Sequence, residues 1–199
     1  MKIYPPHLDK DLEAVFFKLT DDDAAPLKKR SDEILSMIDK NNNSFLEPIS
    51  VNKNLAGQIL HQYALDDTSS NHLQEILKPA LKEYVGRYCE GTYLSLDHFM
   101  IADYEKCWIN FQKKHEYNPV HHHSGLFSFV IWLQIPYTFS DECKHETSIK
   151  KHSVRENTNG DFHFILTNAK KTIKSIDLKV DRAWENRGVL FSSTLSHVV

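Results

Sequence analysis

Three consecutive histidines, His121, His122 and His123, stand just ahead of the apolar run Leu126 to Leu133 in the stretch HEYNPVHHHSGLFSFVIWLQIPY, residues 115–137. Side chains alternate faces along an extended backbone, so His121 and His123 share one side and His122 takes the other. Two imidazoles on one side of a strand can converge on a first-row transition metal, for which neutral imidazole is the commonest protein ligand. The plainer reading is a histidine-rich surface loop or an affinity tag, and the internal position argues against the tag. A further imidazole, His197, lies on a much later strand-like segment, RGVLFSSTLSHVV. In CWINFQ, Trp108, Asn110 and Gln112 fall on one face and Cys107, Ile109 and Phe111 on the other. The polar face either lines a ligand cavity, with Phe127 and Phe129 as further walls, or caps a half-exposed strand.

The elements that must position these residues divide into a helical front, 1–90, and a β-rich remainder, 91–199, within a single domain. LEAVFFKL reads as a strand or a helical turn. A helix is predicted from Pro26 to about Asp39, closing at Lys40, with Asp21 to Asp23 ahead of it and Ile34, Leu35 and Ile38 at helical spacing. Leu55, Ile59 and Leu60 suggest a short helix, and ALDDTSSN reads as a polar break. Asn71 and Gln74 have capping-box spacing for a helix whose stripe is Leu73, Ile76, Leu77, Leu81, Tyr84, Val85 and Tyr88, and Pro79 should kink it. From Thr92 the period changes to two, through TYLSL, HFMIADY and KCWINFQKK. Leu126 to Leu133 reads as a strand buried on both faces. Residues 141–159 read as a mobile loop or lid, GDFHFILTN and TIKSIDLKV as a hairpin, and the chain from Gly188 as a last strand carrying His197. A helical block followed by many strands, with histidines on two of them, predicts an α+β fold built on a jelly roll.

The 199 residues carry a net charge of −3, with Lys and Arg interspersed among acids, so nucleic acid is not an expected partner. No apolar run is long enough to cross a bilayer and the N-terminal segment lacks a secretory pattern, which predicts a cytoplasmic protein without membrane partners. Cys89, Cys107 and Cys143 are widely spaced and lack C-x-x-C grouping, so they read as free thiols rather than a zinc site. Lys150, Lys151, His152 and Arg155 form a solvated basic cluster. The remaining histidines, including His61, His72, His115, His145, His152 and His163, read as surface or hydrogen-bonded residues.

The run W-x-N-x-Q-K-K-H-E-Y-N-P-x-H-x-H-S-G, followed by FSFVIWLQIPY, resembles the iron(II)/2-oxoglutarate oxygenases of marine phages, a prolyl-hydroxylase-like family. GDFHF and GVLFSSTLSH resemble that family's later hairpin and strand, and LAGQI and QYALDD its helical front. The resemblance implies a double-stranded β-helix, cupin-like, with Fe(II) held by His121, His123 and His197. It implies 2-oxoglutarate and O2 as small-molecule co-substrates; Trp108, Asn110 and Gln112, on the face read above, are the candidates for the cofactor-binding walls of that cavity. The implied activity is hydroxylation of a C–H bond coupled to decarboxylation of 2-oxoglutarate to succinate, in the host cell cytoplasm if the source is viral. A peptidyl substrate and a homodimer are compatible with it, and no residue specifies a peptide groove.

Two departures from the family pattern stand out. His123 occupies the place usually taken by aspartate or glutamate, so the triad carries one negative charge fewer. Glu116 is the nearest carboxylate in sequence and ranks below His123 as a ligand. The family also has a basic residue, usually arginine, after the last histidine to hold the distal carboxylate of 2-oxoglutarate. Arg182 and Arg187 precede His197 and are not its equivalents. The expectation is a reading frame cut short; a natural transcript continuing into a basic strand would bear it out, and a stop codon after Val199 would sink it. Two rival readings follow: a cupin-like three-histidine metalloenzyme that does not use 2-oxoglutarate, and an inactive jelly-roll binding module.

Overall fold

The segment Arg187–Ser192 pairs antiparallel with Ala14–Lys18 along one edge and with Phe127–Trp132 along the other, which makes it the central strand of the sheet beneath the site. The computed structural model describes residues 1–5, 9–55, 57–89, 107–144, 160–167 and 171–199. Within them the strands are β1 Lys2–Ile3, β2 Ala14–Lys18, β3 Gln62–Ala64, β4 Trp108–Asn110, β5 Phe127–Trp132, β6 Phe162–Thr167, β7 Ile173–Leu178, β8 Arg187–Ser192 and β9 Ser196–Val198. The helices are α1 Asp21–Asp39, α2 Asn43–Leu46, α3 Asp67–Tyr88 and α4 Phe139–Cys143. The architecture is mixed α/β with antiparallel sheets of order β1-β2-β8-β5, β3-β4 and β7-β6-β9. None of the helices is long and apolar enough to cross a membrane.

Alternation along β2 and β8 sets the layers. Ala14, Val189 and Phe191 face Phe162, Phe164, Ile176 and Leu178, closing a core between the four-stranded and three-stranded sheets. Val15, Phe17 and Leu190 face the other way and meet Ala24 and Leu27 of α1 and Leu73, Leu77, Ala80 and Tyr84 of α3. Phe17, Phe162, Phe164 and Phe191 are fully buried, each ring contributing about 1.5–3 kcal/mol of transfer free energy. Gly188 admits a close approach within this sheet: a Cβ there would lie 2.6 Å from Phe17 Cε2 and 2.7 Å from the Val130 carbonyl oxygen.

Several boundaries differ from the sequence-based expectation. LEAVFFKL resolves as strand β2 and joins the sheet of β8, so the first ninety residues contribute to the β layers as well as to the helices. Helix α1 begins at Asp21, with the acidic residues inside its first turn, because Thr20 and Asp23 form a reciprocal capping box one turn before Pro26. Helix α3 likewise begins earlier: Asp66 accepts from the Ser69 amide, so the polar tract predicted as a break is the cap and first turn. The helix continues through Pro79, its halves held on the sheet by Leu73, Leu77, Ala80 and Tyr84. Instead of a helix near Leu55, a short 3-10 turn spans Asn52–Asn54.

Strand β5 is half-buried along its whole length rather than buried, and Leu126 before it is 63 % exposed. Its faces still divide between the two cores, Phe127, Phe129 and Ile131 on one and Val130 and Trp132 on the other. The hairpin forms as β6 and β7, in register from Phe162–Leu178 to Thr167–Ile173. The single last strand is instead two, because a turn in which the Leu195 amide donates to the Ser192 carbonyl carries the chain from one sheet to the other. The predicted strands TYLSL and HFMIADY, most of the 141–159 loop with its basic cluster, and His145 and His152 lie outside the described residues.

Candidate metal centre

That change of sheet delivers His197 to its neighbours. His121 and His197 exchange both main-chain hydrogen bonds, each amide donating to the other's carbonyl at 3.0 Å. The His123 amide donates to the Ser193 carbonyl at 2.9 Å, fixing the second histidine against the turn between β8 and β9. The ligating atoms of His121, His123 and His197 all lie within 4.8 Å of one another. Three nitrogens around one metal at about 2.1 Å would sit roughly 3.0–3.4 Å apart, so small ring movements complete the set.

Hydrogen bonding identifies the nitrogens that face inward. His121 Nδ1 lies 2.7 Å from the Pro119 carbonyl and His197 Nδ1 lies 3.0 Å from the Leu195 carbonyl. A carbonyl only accepts, so each Nδ1 carries a proton and donates, and in the neutral ring this puts the lone pair on Nε2. Burial lowers the pKa of His123 to about 4, helped by the neighbouring His121 and His122. Burial likewise lowers His197 to about 4, against the opposing effect of its bond to Leu195 and with help from His121, His123 and His122. These two imidazoles are therefore neutral at pH 7 and able to donate to a metal.

The walls are aromatic. His197, 2 % exposed, stacks on Phe162 at 5.5 Å and 17° and meets the edge of Phe191 at 5.0 Å. Trp108 tilts against His123, ring centroids 5.6 Å apart. Trp108, Asn110, Gln112, Phe127 and Phe129 line the same open cleft as the three histidines. Asn110 accepts from the Gln62 side chain at 3.2 Å, tying β4 to β3, and Gln112 donates to the Glu116 carbonyl at 2.8 Å. Trp108 is thus the one of the three shown in ring contact with the histidines. Phe162 beside His197 carries no signal for this role in the sequence, because it reaches the imidazole through the pairing of β6 with β9.

Glu116 is committed elsewhere, its two oxygens accepting from the amides of Leu60 and Lys113 at 3.2 and 2.8 Å. Arg182 donates to the Pro136 carbonyl, and Arg187 packs between the rings of Tyr4 and Trp184. His61 pairs with the Tyr63 hydroxyl, His72 with the Asp23 carbonyl and His163 with Asp177. Cys107 is buried in the helix-side core, where burial pushes its thiol up to about 12.

No family model, curated protein or solved structure matches this chain.

Proposed function

We propose that the protein is a mononuclear iron(II) oxygenase on a double-stranded β-helix, coupling decarboxylation of 2-oxoglutarate to hydroxylation of a substrate C–H bond. The observation that carries this reading is the convergence of His121, His123 and His197 on the wall of one cleft, two of them with Nδ1 held by main-chain acceptors. The strand order supports the fold: the β7-β6-β9 sheet is extended by the His121–His197 bridge and faces the β1-β2-β8-β5 sheet across a shared core.

The donor set fits a borderline divalent metal, since three imidazole nitrogens suit Fe, Zn, Ni or Cu better than Mg or Ca. Bound iron, with 2-oxoglutarate and O2, would supply the oxidising power for the C–H bond. The chain's own residues do the rest. Main-chain carbonyls hold the rings of His121 and His197 in orientation. Phe162 and Phe191 keep water from the inner side of His197, and Trp108 walls the side of His123.

A second reading, a cupin-like oxygenase that does not take 2-oxoglutarate, is favoured by one observation: the third ligand position is the neutral His123. Anaerobic titration with Fe(II) or Mn(II), with and without 2-oxoglutarate, separates the two, using a His121→Ala/His197→Ala variant as the control. Binding tightened by 2-oxoglutarate, followed by succinate release on admitting O2, is the expected result. Binding indifferent to 2-oxoglutarate would transfer the assignment to the cupin-like reading. No binding of Fe(II), Mn(II), Co(II) or Ni(II) would overturn both and leave an inactive binding module.

A further inference from the structure

Between two mutually hydrogen-bonded pairs, the segment carrying His121 has one residue more than the strand it faces. Asn118 and Val199 exchange amide bonds at 3.1 and 3.3 Å, and His121 and His197 exchange theirs at 3.0 Å. Pro119 and Val120 therefore stand opposite Val198 alone, the two-against-one count of a β-bulge. The sequence suits it. Proline has no amide to lose at a position the ladder does not use, and Val120 is turned outward, 58 % exposed.

We infer that this bulge is the positioning device of the metal centre, and that Val120 is the positioning residue whose insertion supplies the acceptor for His121. The extra residue puts Pro119, rather than Asn118, two residues before His121, and the Pro119 carbonyl accepts from His121 Nδ1 at 2.7 Å. The Asn118 carbonyl is instead committed across the ladder, directed at the Val199 amide of the facing strand rather than along its own strand toward the His121 ring. Removing Val120 would close the ladder into a regular one that keeps both flanking pairs but puts that committed carbonyl two residues before His121. The imidazole would lose the bond that selects its tautomer. His197 obtains the same arrangement from the turn between β8 and β9, where Leu195 is the residue two before it. Both facing histidines thus direct Nε2 inward by the same local means, one from a bulge and one from a turn.

Only the affinity arm of the test rests on the metal-centre reading. The tautomer is read in the metal-free chain by long-range ¹H–¹⁵N correlation of the imidazoles, assigned with His121→Ala. We expect His121 to be protonated on Nδ1 in the wild type and in Val120→Ala, which keeps the bulge. In a Val120 deletion we expect a mixture or the Nε2-protonated form, with Mn(II) affinity lower by about 10- to 100-fold, the usual effect of losing a ligand's hydrogen-bond partner. A wild-type His121 protonated on Nε2 would overturn the inference without any variant, even if the deletion failed to fold. A folded deletion that keeps the Nδ1-protonated form or wild-type affinity would overturn it too. A wild type with the expected tautomer that bound no Mn(II) would support the bulge's effect on His121 and sink the metal reading alone.

Discussion

The indole of Trp108 lies 5.6 Å, centroid to centroid, from the imidazole of His123, across a gap between strand β4 and the segment before β5. The other two tryptophans, Trp132 and Trp184, pack edge to face against each other at 5.2 Å, on the side of the core between the sheets. Trp108 is therefore the natural optical reporter of the centre.

Titration with Co(II), Ni(II) or Cu(II) should quench part of the tryptophan emission, and Trp108→Phe should remove that part while leaving the remaining emission insensitive to metal. Steady-state fluorescence of the two proteins checks this. Quenching that persists in Trp108→Phe would place the metal elsewhere.

The two facing histidines should differ in what they do for the fold. His197 is enclosed by Phe162 and Phe191, so His197→Ala opens a cavity and should cost about 2 kcal/mol or more in metal-free protein. His121 is only half-buried, and His121→Ala should cost well under that while abolishing metal binding equally. Urea unfolding in the presence of a chelator gives both values.

Asp161, at the entry to β6, is 3 % exposed, with Oδ1 lacking a hydrogen-bond partner among the described residues and Oδ2 3.4 Å from Lys179. Burial raises its pKa, outweighing the nearby Lys179 ammonium. A carboxyl whose folded pKa lies above its unfolded value favours the folded state at low pH, and that contribution is lost as pH rises through the folded pKa. Asp161→Asn should therefore be more stable than wild type at pH 7, with the difference shrinking as pH falls toward the ordinary carboxylate range. Thermal melts of both proteins from pH 4 to 8 test the sign, and a less stable Asn variant at pH 7 would refute it.

Gly188→Ala should destabilise by about 1–3 kcal/mol or prevent folding. The added methyl meets the Phe17 ring and, within 2.7 Å, the Val130 carbonyl, whose backbone cannot move without displacing β5. Soluble yield and chemical denaturation measure the effect; a neutral substitution would mean that β5 and β8 are not paired as described.

Much of the centre was legible in residue types. H-x-H ahead of an apolar run placed two imidazoles on one side of the chain, and the period-two pattern of GDFHFILTN and TIKSIDLKV marked the hairpin beneath His197. LEAVFFKL could not be decided locally, since five residues of mixed pattern suit either state until β8 supplies a partner. Likewise Asn71 and Gln74 have good capping spacing, but Asp66 offers an equally good cap nearer the start, and the longer helix also buries Ser69 and Ser70.

Residue types alone marked the imidazoles as able to bind a metal and placed His121 and His123 just ahead of one strand and His197 on another. Tertiary structure alone decided that His197 meets His121, that Glu116 is occupied by two amides, and that Pro119 rather than Asn118 faces the His121 ring. The reason is the range of the forces involved. Side-chain alternation is a property of neighbouring residues, whereas hydrogen-bond register between segments more than seventy residues apart is set by how two sheets close over a shared core, and one inserted residue in that register changes which carbonyl an imidazole finds.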